Sequence, residues 1–170
     1  MPTIQLKAKR ERAVQQRHPW LFSGAIAHAD AQPGEVVSVQ SASGEHLAWG
    51  YYNPQSQIQV RLLRWGEAQP DRAWWWRQLE RAISARAPLL ADGRTSTVRL
   101  INAESDGLPG LVVDQYGEWL VLQALTLGID GRKAWLAEML LELTGARGVW
   151  ERSDESVRKL EGLRMASGPL

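Results

Sequence analysis

Cysteine is absent from these 170 residues. Its absence excludes disulfides, thiolate-ligated zinc, iron–sulfur clusters and a cysteine nucleophile within this stretch. It also fits a reducing compartment. Long apolar runs are missing too. Nothing approaches the roughly eighteen consecutive apolar residues that suggest a membrane-spanning helix. Met1-Pro-Thr-Ile-Gln-Leu-Lys7 has no apolar core of signal-peptide length. The chain therefore reads as cytoplasmic, with no membrane partner. Neither a G-x-G-x-x-G fingerprint nor a G-x-x-x-x-G-K-[ST] loop occurs, so no nucleotide cofactor is expected within these residues. His18, His28 and His46 do not stand at metal-ligand spacing, and no metal is expected. Phenylalanine occurs once, against nine tryptophans.

What is present suffices for a folded protein. Hydrophobic residues make up 44%, enough for a core, and the length allows one domain or two small ones. The net charge of +1 hides an uneven distribution. Lys7, Lys9, Arg10, Arg12 and Arg17 crowd the first 29 residues against one acid, Glu11. No Lys or Arg lies between Arg99 and Arg132, where Glu104, Asp106, Asp114, Glu118 and Asp130 fall. A basic end on a neutral chain suits a phosphate-facing patch. The competing reading is a solvated face.

Residues 3–66 read as several short strands punctuated by turns. Ile4–Leu6, Gly34–Val39, His46–Tyr52 and Ile58–Leu63 are strand-like, and Pro33-Gly34, Ser43-Gly44 and Asn53-Pro54 turn the chain. That spacing suggests a small β barrel, with Lys9–Gln16 as a short polar helix. Residues 67–70 break the pattern, and Asp71 is a good N-cap for a helix to about Ala87. Trp75, Leu79, Ala82 and Ile83 give that helix an apolar face, and it is expected to bridge two domains. Three consecutive residues cannot share one helix face, so Trp74-Trp75-Trp76 reads as packing rather than base stacking.

From Val98 the pattern becomes strand, strand, strand, helix, strand. Val98–Asn102, Leu111–Asp114 and Trp119–Leu125 are the strands, Asp130 to about Thr144 the helix, and Gly148–Arg152 a last strand. Gly145 is a natural helix stop. A short helix over 154–161 follows, and Ser167–Leu170 reads as a strand or turn. The expected fold class is α+β: a small β pseudo-barrel over 1–66, a linker and bridging helix over 67–96, and a small α+β domain over 97–170 with one helix on a short sheet.

Three clusters could carry chemistry. Glu104-Ser105-Asp106 sets two carboxylates and a hydroxyl where a strand meets a glycine turn. Such a loop can bind a ligand or orient a neighbouring domain, and it also fits plain turn chemistry. Arg17-His18-Pro-Trp20-Leu-Phe22 joins an arginine, a histidine and aromatics, which suits phosphate pairing and stacking on RNA. Trp20 and Phe22 read equally as barrel core. Glu151-Arg152-Ser153-Asp154, mixed charge at a strand-to-helix switch, can line a cleft or be an N-cap with a solvated salt bridge.

Taken together, Arg17-His-Pro-Trp-Leu-Phe-Ser-Gly-Ala-Ile26, Glu104-Ser-Asp-Gly-Leu-Pro-Gly-Leu-Val-Val-Asp114 and Arg152-Ser-Asp with Val157-Arg-Lys-Leu-Glu-Gly162 stand in a recognisable order. They resemble the N-terminal half of the bacterial 23S rRNA cytosine-C5 methyltransferases, the large-subunit rRNA methyltransferase I family. The resemblance covers essentially the whole chain. It implies a PUA domain, then a small α+β domain, then a Rossmann-like catalytic domain beyond residue 170 that holds S-adenosylmethionine and the catalytic cysteine. It implies ribosomal RNA as partner, with Lys7, Arg10, Arg17, His18 and Trp20 as the expected RNA contacts. It also implies that Glu104, Ser105, Asp106, Arg152, Ser153 and Asp154 face an interdomain cleft. No residue here inherits a catalytic role, and none is expected to hold the cofactor. A homodimer is left open. The alternatives are a PUA-like protein-interaction module that never touches RNA, and the PUA module of another RNA-modifying enzyme; the 104–114 signature argues against the second.

Overall fold

Short alternating segments build two separate sheets in the computed structural model, which describes every residue except Asp92 and Asp154, and Glu155 by its backbone alone. The first sheet contains β1 (Thr3–Leu6), β2 (Trp20–Phe22), β3 (Ile26–Asp30), β4 (Val36–Gln40), β5 (His46–Tyr52) and β6 (Ile58–Trp65). Their spatial order is β2-β6-β5-β4-β1-β3, and only the β1–β4 pair is parallel. The sheet curls around Ile4, Leu6, Leu21, Val39, Val60 and Leu62. A short helix, α1 (Arg12–Gln15), drops Val14 into that core. The two edge strands, β2 and β3, do not stand out in the sequence. Each has one neighbour, and only Leu21 of their eight residues is buried, so neither needs a clean apolar alternation.

Helix α2 (Arg72–Leu90) starts where Asp71 Oδ1 accepts the Trp74 amide at 2.7 Å. It runs three residues beyond the expected end and through Pro88. Trp74, Trp75, Leu79 and Ala82 are buried, with Trp75 edge-on to Trp135 at 5.7 Å, so these indoles pack as the sequence suggests. The second sheet contains β7 (Thr97–Asn102), β8 (Leu111–Tyr116), β9 (Trp119–Ala124), β10 (Gly148–Ser153) and β11 (Ala166–Pro169), in the order β11-β10-β9-β8-β7. β9 and β10 are parallel and need a crossover, supplied by α3 (Leu127–Asp130) and α4 (Lys133–Thr144). The expected helix from Asp130 begins at Lys133 instead, and a separate short helix, α3, precedes it across Gly131-Arg132. Gly145, at φ 68°, ends α4. A last short helix, α5 (Glu155–Lys159), leads to β11, which pairs antiparallel with β10.

β5 and β6 serve both halves. Successive strand residues point to opposite faces, so Tyr52 and Leu62 enter the first core while Tyr51 and Leu63 enter the second. That second core fills the space between the five-stranded sheet, α2 and α4. On the other face of the same sheet Tyr116, Trp119, Trp150 and Arg152 are exposed.

Candidate nucleic-acid interface

The basic end forms one wall of a groove. After β1 the chain turns through Lys9, at φ 66°, into α1. α1 ends in a Schellman motif: the Arg17 amide donates to Val14 O at 2.9 Å and the His18 amide to Ala13 O at 2.9 Å. The left-handed position of that motif normally belongs to glycine; here it is Arg17, at φ 58°. A side chain in that conformation costs about 1–2 kcal/mol. Backbone outliers of this kind cluster at functional sites. Beside them lies a groove of about 380 Å³ lined by Lys9, Arg10, Arg12, Trp20, Phe22 and Gly24. Lys7 is exposed at its rim, its Nζ on Gly24 O at 3.2 Å. Arg10, Arg17 and His18 are exposed. His18 Nδ1 accepts the Trp20 amide at 3.2 Å, which ties the histidine to the start of β2.

Lys9 and Arg12, part of the basic patch, and Phe22, part of the Arg17–Phe22 cluster, complete this groove, although none of the three is among the expected RNA contacts. Phe22, expected as a core candidate, is half-exposed, while Leu21 is buried. Trp20-Leu21-Phe22 is apolar throughout, so the sequence does not mark which of the three faces inward.

Trp20 turns toward the second half. Its Nε1 donates to Glu104 Oε1 at 2.8 Å, and the Arg61 guanidinium stands 5.8 Å from its ring centre. Arg61 in turn donates to Glu104 at 3.2 Å and to Glu161 at 3.0 Å. Asn53 Nδ2 donates to the Glu161 carboxylate at 2.9 Å and to its carbonyl at 3.0 Å. Burial pushes the Glu161 carboxyl up, but the bonds from Asn53 and Arg61 outweigh this and hold it below the usual range. The 104–110 loop faces the same seam. Tyr51 Oη donates to Pro109 O and meets Thr126 Oγ1 at 2.8 Å. Gly110, at φ 80°, lets the backbone lie against Thr126, where a Cβ would collide.

The other expected cleft residues are placed as follows. Asp106 takes both nitrogens of Arg86 from α2, at 2.7 and 2.9 Å, and accepts the Asn102 amide at 2.6 Å. Ser105 is exposed beside Asn102. Ser153 is buried, accepting the Ala124 amide at 2.9 Å and donating to Glu151 at 2.8 Å. Arg152 is exposed on the open sheet face; Asp154 lies outside the described residues. Arg132, just before α4, donates to Gly34 O at 3.0 Å and Gly128 O at 2.7 Å. Among the described residues no helix is long and apolar enough to cross a membrane, and no group of three potential ligands could hold a metal ion.

A PUA-like domain model matches residues 4–65, the span of the first sheet. Ribosomal RNA large subunit methyltransferase I of Klebsiella pneumoniae (strain 342) is 38% identical over 172 aligned positions, covering 99% of this chain. The protein of the same description from Aliivibrio fischeri (strain ES114) is 40% identical over 171, again covering 99%. The chain is similar to the N-terminal half of the large-subunit rRNA methyltransferase I family. It spans 43% of the length of these curated relatives. Among solved structures, a candidate SAM-dependent methyltransferase from Streptococcus mutans superposes with a TM-score of 0.81 at 15% identity, over 100% of this chain and 43% of that one. A candidate methyltransferase complexed with SAH matches equally, at 0.81 and 15%. At such identity the likeness speaks for the fold alone.

Proposed function

We propose that these residues recognise RNA for a 23S rRNA cytosine-C5 methyltransferase and do not transfer the methyl group by themselves. The PUA-like sheet holds the RNA, and the second α+β unit fixes its orientation relative to the rest of such an enzyme. The domain limits that fit this reading are 1–66, 67–96 and 97–170. S-adenosylmethionine would be held elsewhere in the longer enzyme. Its binding needs a glycine-rich turn and an acid at adjacent strand ends, and this sequence has no G-x-G-x-x-G turn.

One observation carries the reading: an arginine occupies the left-handed glycine position of α1, beside a groove lined by three further cations and two aromatics. Stability alone favours glycine there. Arg17→Gly separates the two roles. Chemical denaturation should find the variant as stable as the parent, or more stable by up to about 1 kcal/mol, as relief of strain is set against backbone entropy. Its affinity for structured rRNA fragments should fall. The slope of log affinity against log salt should shrink by about 0.7–0.9, one phosphate contact. Unchanged RNA binding in a stabilised variant would remove Arg17 from the interface.

A further inference from the structure

We infer that the open face of the second sheet is a second RNA site, one that takes unpaired bases by stacking. The inference rests on the RNA reading above and names the substrate class for a surface outside the basic groove.

Cross-strand register puts the outer side chains on one surface. Tyr116 pairs with Trp119, Asp114 with Val121, and Trp150 lies beside Val121 on the next strand. Tyr116, Trp119 and Trp150 are 51%, 55% and 50% exposed. Half-exposed aromatic side chains gathered on one sheet face are unusual for a surface without a ligand. Two of them are also fixed. The Trp119 ring lies over Gly148, where a Cβ would stand 2.7 Å from its Cζ3. Trp150 Nε1 reaches Ser167 Oγ at 3.3 Å. Indoles pinned to the sheet with a face in solvent are preorganised platforms, and every base has a face to stack on them.

The rest of the surface favours a nucleic acid over a protein. Protein interface cores are depleted in charge, whereas this face carries polar and charged groups at its centre. Beside Tyr116 a groove of about 480 Å³ is lined by Val121, Gln123, Arg152 and Met165, which sets hydrogen-bonding edges within reach of a stacked base. The acids here are already matched: Asp114 takes Arg99 at 2.8 Å, and Glu118 takes Arg147 at 3.2 Å. The exposed Arg152 guanidinium has no bonded acid among the described residues, which leaves the face net positive toward a phosphate backbone.

The test uses the 170-residue chain with two labelled probes, a single-stranded RNA oligonucleotide and an RNA duplex, read by fluorescence anisotropy. Trp119→Ala and Trp150→Ala should each weaken single-strand binding about tenfold, the size of one stacked base. Duplex binding and the salt slope should hold, because stacking releases no counterions. Trp119→Phe and Trp150→Phe keep a ring and should retain most of the affinity, which separates loss of stacking from loss of fold. Unchanged single-strand affinity in both alanine variants overturns the inference. If Arg17→Gly still weakens binding in that case, the basic groove survives alone. Binding of neither probe overturns both readings. A shift of the parent from dimer to monomer in the alanine variants, by sedimentation and without change in RNA affinity, also overturns it and makes the face a contact between copies.

Discussion

Arg61→Ala should cost about 3–5 kcal/mol of folding free energy, the penalty for leaving a buried carboxylate without its cation. Arg61 links Glu104 and Glu161, and Glu161 is 2% exposed. Without the guanidinium, the Glu161 carboxylate is left with neutral donors: Asn53, Ser56 and, at 3.3 Å, the Leu127 amide. Glu161→Gln should cost less, because the buried Arg61 guanidinium keeps Glu104 as its acid. The same carboxyl should make the seam acid-sensitive. A carboxyl depressed in the folded state stabilises above its unfolded value, about 4.3 for Glu, and that stability fades as pH falls through the lower folded value. Asp130 is lowered as well: burial raises it, but Lys133 and Arg158 outweigh burial. The parent should therefore lose Tm on acidification below about pH 5 more steeply than Glu161→Gln does. Urea unfolding across that range reads both effects. A loss under about 1 kcal/mol for Arg61→Ala, the range of an exposed pair, would show that the seam is solvated.

Gly128→Ala should be the most damaging of the small substitutions, at or above about 3 kcal/mol, the upper end for overpacking. The added methyl would stand inside the Tyr51 ring. Tyr51 cannot retreat, because it is fully buried and its hydroxyl is held by Pro109 and Thr126. The two sites should therefore couple. Tyr51→Leu makes room for the methyl, so the double variant should be more stable than the sum of the single losses predicts, by about 1 kcal/mol or more. Strict additivity in denaturant unfolding would mean that the ring and the α3 backbone are not in contact.

Much of the scaffold could be read from local pattern. The central strands and α2 show their period, their turns or their cap within a few residues. The elements that escaped were edge strands, whose half-exposed residues Trp20, Phe22, His28 and Asp30 need no alternation. The break at Gly131-Arg132 escaped too, because leucines 136, 140 and 143 continue a helical period behind it. Site residues were legible only as exposed charge: Arg10, Arg17 and His18 are exposed, as a basic stretch suggests. The seam was not legible. Arg61 and Tyr51 read as ordinary strand residues, Asn53 as a turn residue, and Arg158 and Glu161 as part of a short helix. Their partners lie far along the chain: Arg61 meets Glu161 100 residues away, and Arg158 meets Asp130 28 residues away. Nothing local marks a charge as buried when its counter-charge arrives from another sheet. The left-handed φ of Arg17 was also invisible, since sequence offers glycine as the signal for that conformation and this helix end lacks one.

RNA recognition by the basic end is the central claim, and the salt dependence of binding tests it most directly. Titration of a structured rRNA fragment at several salt concentrations should give a slope equivalent to about two to four phosphates, with affinity near the non-specific range of about 10⁻⁴–10⁻⁶ M. Arg10→Ala/Arg17→Ala should weaken binding and remove about two contacts from that slope, whereas Arg72→Ala, at the start of α2 and paired with Glu138, should change neither. Equal affinity and equal slope for the parent and the Arg10→Ala/Arg17→Ala variant at low salt would contradict the account and leave the basic end a solvated face.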